Sequence, residues 1–275
     1  MGKLDSKVAI VTGSGRGIGR AIATKLADEG ARIVVNDLDE EPARETVETL
    51  EKAGHEAHAV VGDVAAEDFG ERIVSETLEH FGALDILVNN AGYIWNTAIQ
   101  NHSDEQWYAM LDVHATGPFR ILRAAAHHFR ETGKRERAEG VAHCRKVVNI
   151  SSVAGTTGGA TQLAYSAGKA AVVGITKTLA KEWGRYNVTV NCVAFGYIET
   201  RLTQSFEGAA STISVKERQF KVGFDRSAIQ ALEHQTPLGR SGTTEEAAGA
   251  VYLLCLPESD FITGQVLHCC GGIAM

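Results

Sequence analysis

The sequence predicts an α/β fold, one doubly wound parallel sheet of about seven strands with helices on both faces. Two observations carry this expectation. Short apolar, β-branched runs alternate with stretches of helical periodicity along the whole chain. The 275 residues include only four prolines and no low-complexity tract, so nothing marks an interdomain linker and residues 1–275 are expected to form a single domain.

Val8-Ala-Ile-Val11 reads as a short buried strand closed by glycines, and residues 17–29 as a helix with Ile18, Ile22 and Leu26 on one stripe. Arg32-Ile-Val-Val35 is the second strand, 40–52 a polar helix and 57–61 the third strand. A helix over 67–80 leads to the strand Leu84-Asp-Ile-Leu-Val88, and a long helix covers 103–130. Strand 146–150, helix 165–186 and strand 188–193 follow, then helix 244–256 and strand 265–268. Two segments break the rhythm. Residues 131–145 are long and charged for a helix-to-strand connection, and read as a solvated surface excursion, either a helix extension or a loop. Residues 200–235 lack a clear strand and read as an insertion that covers a substrate.

A net charge of −7 gives no electrostatic support for nucleic-acid binding. The five cysteines are scattered, without metal-like spacing, and fit reduced thiols in the cytoplasm. No apolar run approaches a membrane span, and the first residues lead straight into a strand, so neither a membrane segment nor a signal peptide is expected.

Thr12-Gly-Ser-Gly-Arg-Gly-Ile-Gly19 lies between the first strand and the first helix. Glycines there let the backbone approach a pyrophosphate, and the helix N-terminus favours the anion. Gly13, Arg16, Gly17, Ile18 and Gly19 are therefore candidate dinucleotide contacts. Eighteen residues beyond Gly19, Asp37 ends the second strand, where a carboxylate can accept both ribose hydroxyls and repel a 2′-phosphate. Asp37 points to NAD. Arg16 pulls towards NADP, but a carboxylate beside a 2′-phosphate is an unfavourable like-charge contact and weighs more. Asp37 also suits a turn or a helix cap.

Tyr165 and Lys169 are four residues apart on a predicted helix, hence on one face, with Ser152 upstream. An ammonium beside a phenol favours the phenolate, and a phenol tuned in this way can exchange a proton with an alcohol oxygen. Together with a hydride carrier, that is alcohol–ketone redox chemistry.

In these motifs the chain resembles the short-chain dehydrogenases/reductases, over nearly its whole length: Thr12 to Gly19, Asp63-Val64, Asn89-Asn-Ala-Gly92, Ser152, Tyr165 and Lys169, then Pro237-Leu-Gly-Arg240, Thr263-Gly-Gln265 and Gly271-Gly272. The resemblance implies a Rossmann-type fold. It implies that Asp63 and Val64 flank the adenine, that Asn90, with Ala91 and Gly92, supports the cofactor, and that Ile198 and Thr200 hold the nicotinamide amide. It implies that Tyr165 is the acid/base, that Ser152 orients the substrate oxygen, and that Lys169 lowers the tyrosine pKa and grips the nicotinamide ribose. It also implies a homotetramer, to which an apolar outer stripe on the 165–186 helix (Val172, Val173, Leu179 and Trp183) is a candidate contributor. Two positions depart from the family pattern. His114 stands where an asparagine usually completes a proton relay, and is expected to keep activity while adding a pH dependence near neutrality. Phe195-Gly196 stands where Pro-Gly is common.

Asn36-Asp-Leu38 with His114 is similar to NAD-linked (3R)-hydroxyacyl-CoA dehydrogenases, and Ser152-Val-Ala-Gly-Thr with Gln162 to 3-oxoacyl thioester reductases. The expected reaction interconverts 3-oxoacyl and 3-hydroxyacyl thioesters. Another secondary alcohol (steroid, terpenoid or sugar-like) and a non-catalytic NAD sensor are the alternatives. Arg201, Lys216, Arg218, Lys221 and Arg226 are candidates for the phosphates of CoA or the acidic face of an acyl carrier protein, or simply a solvated helix face. Phe206, Phe220 and Phe224 are candidates for an apolar lining.

Overall fold

The computed structural model describes residues 2–200, 205–206, 211–215 and 218–274. Seven strands form one sheet: β1 (Val8–Val11), β2 (Arg32–Val35), β3 (Ala57–Ala59), β4 (Ile86–Asn89), β5 (Arg145–Ser152), β6 (Val188–Phe195) and, last in the chain, β11 (Val266–Cys269). Their order is β11-β6-β5-β4-β1-β2-β3, with every pairing parallel.

The physical basis is visible residue by residue. Ala9, Val11, Ile33, Val35, Ile86 and Val88 enter one hydrophobic cluster, whereas Ile10, Val34 and Leu87, alternating with them, enter the other. Side chains on a strand point to opposite faces in turn. A sheet whose both faces are apolar must be covered on both. α1 (Gly17–Asp28), α2 (Glu40–Lys52) and α9 (Thr244–Cys255) contribute to the first cluster; α3 (Phe69–Phe81), α5 (Gly117–Ala138) and α7 (Leu163–Trp183) contribute to the second.

The chain runs outwards from β1 to β3 and then returns to β4 on the other side of β1. This reversal opens a crevice beyond the carboxyl ends of β1 and β4, the general location of ligand sites in open α/β sheets.

The long helix expected over 103–130 is α4 (Asp104–Leu111), a π turn (Asp112–Thr116) and α5 in succession. Gly117 N donates to Asp112 O, five residues back. Pro118 has no N–H to offer the carbonyl of His114, four residues back, so the α ladder cannot continue there and the wider turn takes its place.

The charged 131–145 segment is a helix extension as far as Ala138. It is not wholly a solvated face. Arg145 is 4% exposed and makes a bidentate pair with Glu136, both contacts at 2.7 Å.

The 200–235 segment also departs from expectation, because it does contain strands. β7 (Ser205–Phe206) pairs with β10 (Phe224–Asp225), and β8 (Ser211–Val215) with β9 (Arg218–Val222), before α8 (Arg226–Gln235). Arg201 and Lys216 lie outside the described residues, as do the side chains of Phe206, Arg218, Phe220, Lys221 and Phe224; Arg226 is exposed.

The expected outer stripe on α7 needs correction at two positions. Val172 and Trp183 are core residues, and Leu179 packs on the same core. α7 lies against both β5 and β6, which covers the side carrying Val172, while Val173 stays half-buried. All five cysteines are free thiols, Cys269 and Cys270 half-buried. Among the described residues no helix is long and apolar enough to cross a membrane, and no group of side chains is arranged to hold a metal ion.

Candidate active site

Side chains from the ends of β1, β2, β4, β5 and β6 converge on one cleft of about 830 Å³. The structure brings every residue expected in the site to its wall: Gly13, Arg16, Gly17, Ile18 and Gly19 after β1; Asp37, Asp63 and Val64 after β2 and β3; Asn90, Ala91 and Gly92 after β4; His114, Ser152, Tyr165 and Lys169; and Ile198 and Thr200 after β6.

At one end, Thr12 stitches two loops together. Its Oγ1 accepts from Asn90 N (2.9 Å) and Ala91 N (3.0 Å), while Asn90 Nδ2 donates to Thr12 O (2.9 Å) and Gly13 O (3.2 Å). Arg16 precedes α1 without capping it through its side chain, and the first turn of α1 carries no acidic residue. The leading N–H groups of α1 are thus left to an external acceptor. Gly17 has φ +53°, and nothing lies within 4 Å of where its Cβ would be. An uncapped helix N-terminus facing open space fits a pyrophosphate. Asp37 is held by two backbone donors, Gly15 N to Oδ2 (3.1 Å) and Asp39 N to Oδ1 (3.2 Å). Arg16 Nη1 lies 2.9 Å from Asp39 Oδ2. The residues therefore fit a dinucleotide.

At the other end, Ser152 starts α6 (Val153–Thr157), accepting from Ala154 N at 3.2 Å, and its hydroxyl shares the cleft wall with the phenol of Tyr165. Lys169 is 5% exposed, donates to Ile150 O at 2.8 Å and lies 5.8 Å from the centre of the Tyr165 ring. Burial lowers the Lys169 ammonium from its ordinary 10.5 to about 8. Burial raises the Tyr165 phenol, and the Ser152 hydroxyl opposes this. Burial thus works against the expected lowering of Tyr165 by Lys169, because loss of water disfavours both charged forms.

His114 sits in the π turn, 2% exposed. Its Nε2 lies 2.8 Å from Tyr93 O, which can only accept, so Nε2 carries the proton. Its ring meets that of Tyr165 edge-on, centroids 5.0 Å apart. Burial first, then the charge of Lys169, holds its pKa well below 6.5. The expected titration near neutrality is thereby corrected: this imidazole stays neutral.

Tyr93, Glu105, Tyr108, Asp112, Tyr197 and Asp39 also line the cleft and were not singled out in the sequence. Tyr93 and Tyr197 directly follow Asn89–Gly92 and Phe195-Gly196, a proximity that could have flagged them.

A parallel sheet with a dinucleotide-type crevice, ending in a Ser–Tyr–Lys group, defines a nicotinamide-dependent oxidoreductase acting on CH–OH groups. The comparisons with known proteins specify the family. The model described as enoyl-(acyl carrier protein) reductase matches residues 13–274. The chain is 36% identical to the (2S)-[(R)-hydroxy(phenyl)methyl]succinyl-CoA dehydrogenase subunit BbsD of Thauera aromatica, over 98% of this chain and 97% of that one. It is 37% identical to the 3-oxoacyl-[acyl-carrier-protein] reductase FabG of Aquifex aeolicus, over 98% of each. A crystal structure of a gluconate 5-dehydrogenase from Burkholderia cenocepacia, in complex with NADP and tartrate, superposes with a TM-score of 0.83 at 34% identity, covering 98% of this chain and 96% of that one. The chain belongs to the short-chain dehydrogenase/reductase family.

Proposed function

We propose that the protein interconverts 3-oxoacyl and 3-hydroxyacyl thioesters with NAD as its cofactor. The observation that carries the chemistry is that Ser152, Tyr165 and buried Lys169 meet on one wall of the cleft. The similarity to BbsD and FabG, both named for acyl-thioester substrates, supports the substrate class.

In this reading a bound nicotinamide supplies or removes the hydride. The first turn of α1 and the loop before it would hold the pyrophosphate, Asp37 the adenosine ribose, and Asp63 and Val64 the adenine. Ile198 and Thr200 would hold the carboxamide. Ser152 Oγ and Tyr165 Oη would hold the substrate carbonyl oxygen between two donors, where negative charge grows during reduction. Tyr165 gives its proton to that oxygen. Burial raises the phenol further above its ordinary value, so at neutral pH it carries the proton that reduction needs. Lys169 stands behind Tyr165 as a weakened ammonium. NAD is favoured by Asp37, which lines the cleft. The rest of the reading is a single domain with 200–235 as its substrate cover, and a cytoplasmic homotetramer. A light-scattering mass of one chain would exclude the tetramer.

The likeness to a gluconate 5-dehydrogenase favours a second reading, a sugar-like alcohol substrate. One experiment separates them: NADH and NADPH against acetoacetyl-CoA, 5-ketogluconate and unrelated ketones. Turnover of acetoacetyl-CoA with NADH is expected. Failure on every 3-oxoacyl thioester refutes the first reading, and preference for NADPH refutes the role given to Asp37.

A further inference from the structure

Asp39 occupies the N-cap of α2 with extended backbone (φ −95°, ψ 133°), a position where an aspartate ordinarily accepts from a backbone N–H two or three residues on. It does not do so here; the helix has no side-chain cap bond. Asp39 Oδ2 instead reaches Arg16 Nη1 at 2.9 Å. A stabilising local contact has been forgone for one that spans 23 residues of sequence and joins the two loops at the adenosine end of the cleft.

The geometry is directional. Asp37 and Asp39 both line the cleft, and the Asp39 N–H donates to Asp37 Oδ1, so the two carboxylates are fixed in sequence along one wall. Arg16 is the cation of the phosphate loop, and its guanidinium is engaged by the second of them. An arginine is the natural reader of a phosphate, because its planar fork matches the oxygens. While it is paired with a carboxylate, a phosphate entering beside it must displace that carboxylate and also sit next to it.

We propose that Asp39 is a cofactor-specificity residue that acts through Arg16: it occupies the loop arginine and so denies a 2′-phosphate its only cationic partner among the described residues at that end of the cleft. Asp37 excludes the phosphate by repulsion, and Asp39 by removing the compensating attraction. The inference rests on the nicotinamide reading of the cleft.

Arg16 and Asp39 are 39% and 47% exposed, so the pair itself contributes little to stability, and breaking it should leave the fold intact. Asp39→Asn keeps the size and capping ability of the residue and deletes its charge. Binding of 2′,5′-ADP, 5′-AMP, NADH and NADPH is measured by titration calorimetry on wild type, D39N, R16Q and the double variant, at low and at raised salt. The ratio of 2′,5′-ADP to 5′-AMP affinity should rise about threefold in D39N, the scale of one exposed ion pair released. It should fall back in the double variant, and the gain should shrink as salt is added. An unchanged ratio in a D39N protein that still binds NADH overturns the role of Asp39 and leaves the nicotinamide reading standing. A gain that persists without Arg16 also overturns it, since repulsion alone would then suffice. A wild-type protein that binds neither NADH nor NADPH refutes the nicotinamide reading and this inference with it.

Discussion

Replacing His114 with asparagine should change the acid stability of the protein and leave the pH profile of its catalysis unaltered. In the native state burial, followed by the charge of Lys169, keeps the imidazole neutral well below pH 6.5. In the unfolded chain the same ring takes up a proton as the pH falls through 6.5. The unfolded state then binds more protons than the native state, so unfolding free energy rises with pH and is lost as pH falls below 6.5. The slope from one such group approaches about 1.4 kcal/mol per pH unit. His58 and His128 are also lowered by burial and add to the wild-type slope, so the informative quantity is the difference between the two proteins. At pH 7.5 the substitution removes the donor to Tyr93 O and the edge-on contact with Tyr165. A buried hydrogen bond of this kind contributes about 1 kcal/mol and the ring contact about another. H114N should thus be less stable by about 2 kcal/mol at pH 7.5, and the gap should narrow by more than half towards pH 5.5. Urea unfolding at intervals between pH 5 and pH 8 measures both. Parallel stability curves would show that the imidazole is not held neutral and would refute the reasoning, as would a catalytic pH limb near 6.5 that disappears in H114N.

Two further outcomes follow from the same part of the site. The fall of Lys169 from 10.5 to about 8 corresponds to about 3 kcal/mol of strain on its charged form, fully present below pH 8 and relieved as pH rises from 8 to 10.5. Lys169→Met should therefore raise the melting temperature at pH 7 even after the bond to Ile150 O is lost, while kcat falls by at least about a hundredfold; a less stable variant would contradict the direction given for Lys169. A Cβ on Gly92 would stand 2.4 Å from His114 Cε1 and 2.8 Å from Nδ1, with the ring fixed by Tyr93. Gly92→Ala should cost about 2 kcal/mol or more in denaturant unfolding, and His114→Ser in the same chain should recover most of it; strictly additive losses would mean that the ring is not the obstacle.

The sheet was legible because its central strands are runs of residues buried on both faces, and nothing but a two-sided layer accommodates Val8-Ala-Ile-Val11 or Lys146 to Ile150. The site was legible where spacing alone places groups together, as with Tyr165 and Lys169 on one helix face, or where a motif ends a strand. Other features depend on three-dimensional neighbours. The inward faces of α7 are not legible because an Ala- and Val-rich helix has no single apolar stripe; Val172 is buried in a helix that lies against β5 and β6, and Trp183 meets Phe129 of α5. The π turn leaves the apolar period undisturbed, and only Pro118 betrays it. The Arg16–Asp39 pair joins residues from two loops that no local pattern relates. The state of His114 was misread for the same reason: an unperturbed imidazole titrates near neutrality, and burial is a property of the fold.

One cause accounts for the electrostatics of the whole proton-handling end. Withdrawal from water raises Tyr165, lowers Lys169 to about 8 and holds His114 neutral. Each shift moves its group towards the uncharged form, so the three neighbours do not offset one another. The consequence is directional. A phenol kept protonated at neutral pH is ready to give its proton to an oxygen that is gaining charge, whereas an alcohol would need the phenolate that burial disfavours. For this site to oxidise an alcohol, something brought with the ligands must restore the phenolate. A positive charge near Tyr165 would do so, and Lys169, already tethered to Ile150 O and weakened by burial, does not supply it alone. An oxidising activity at this site should therefore rise with pH as the phenol begins to titrate.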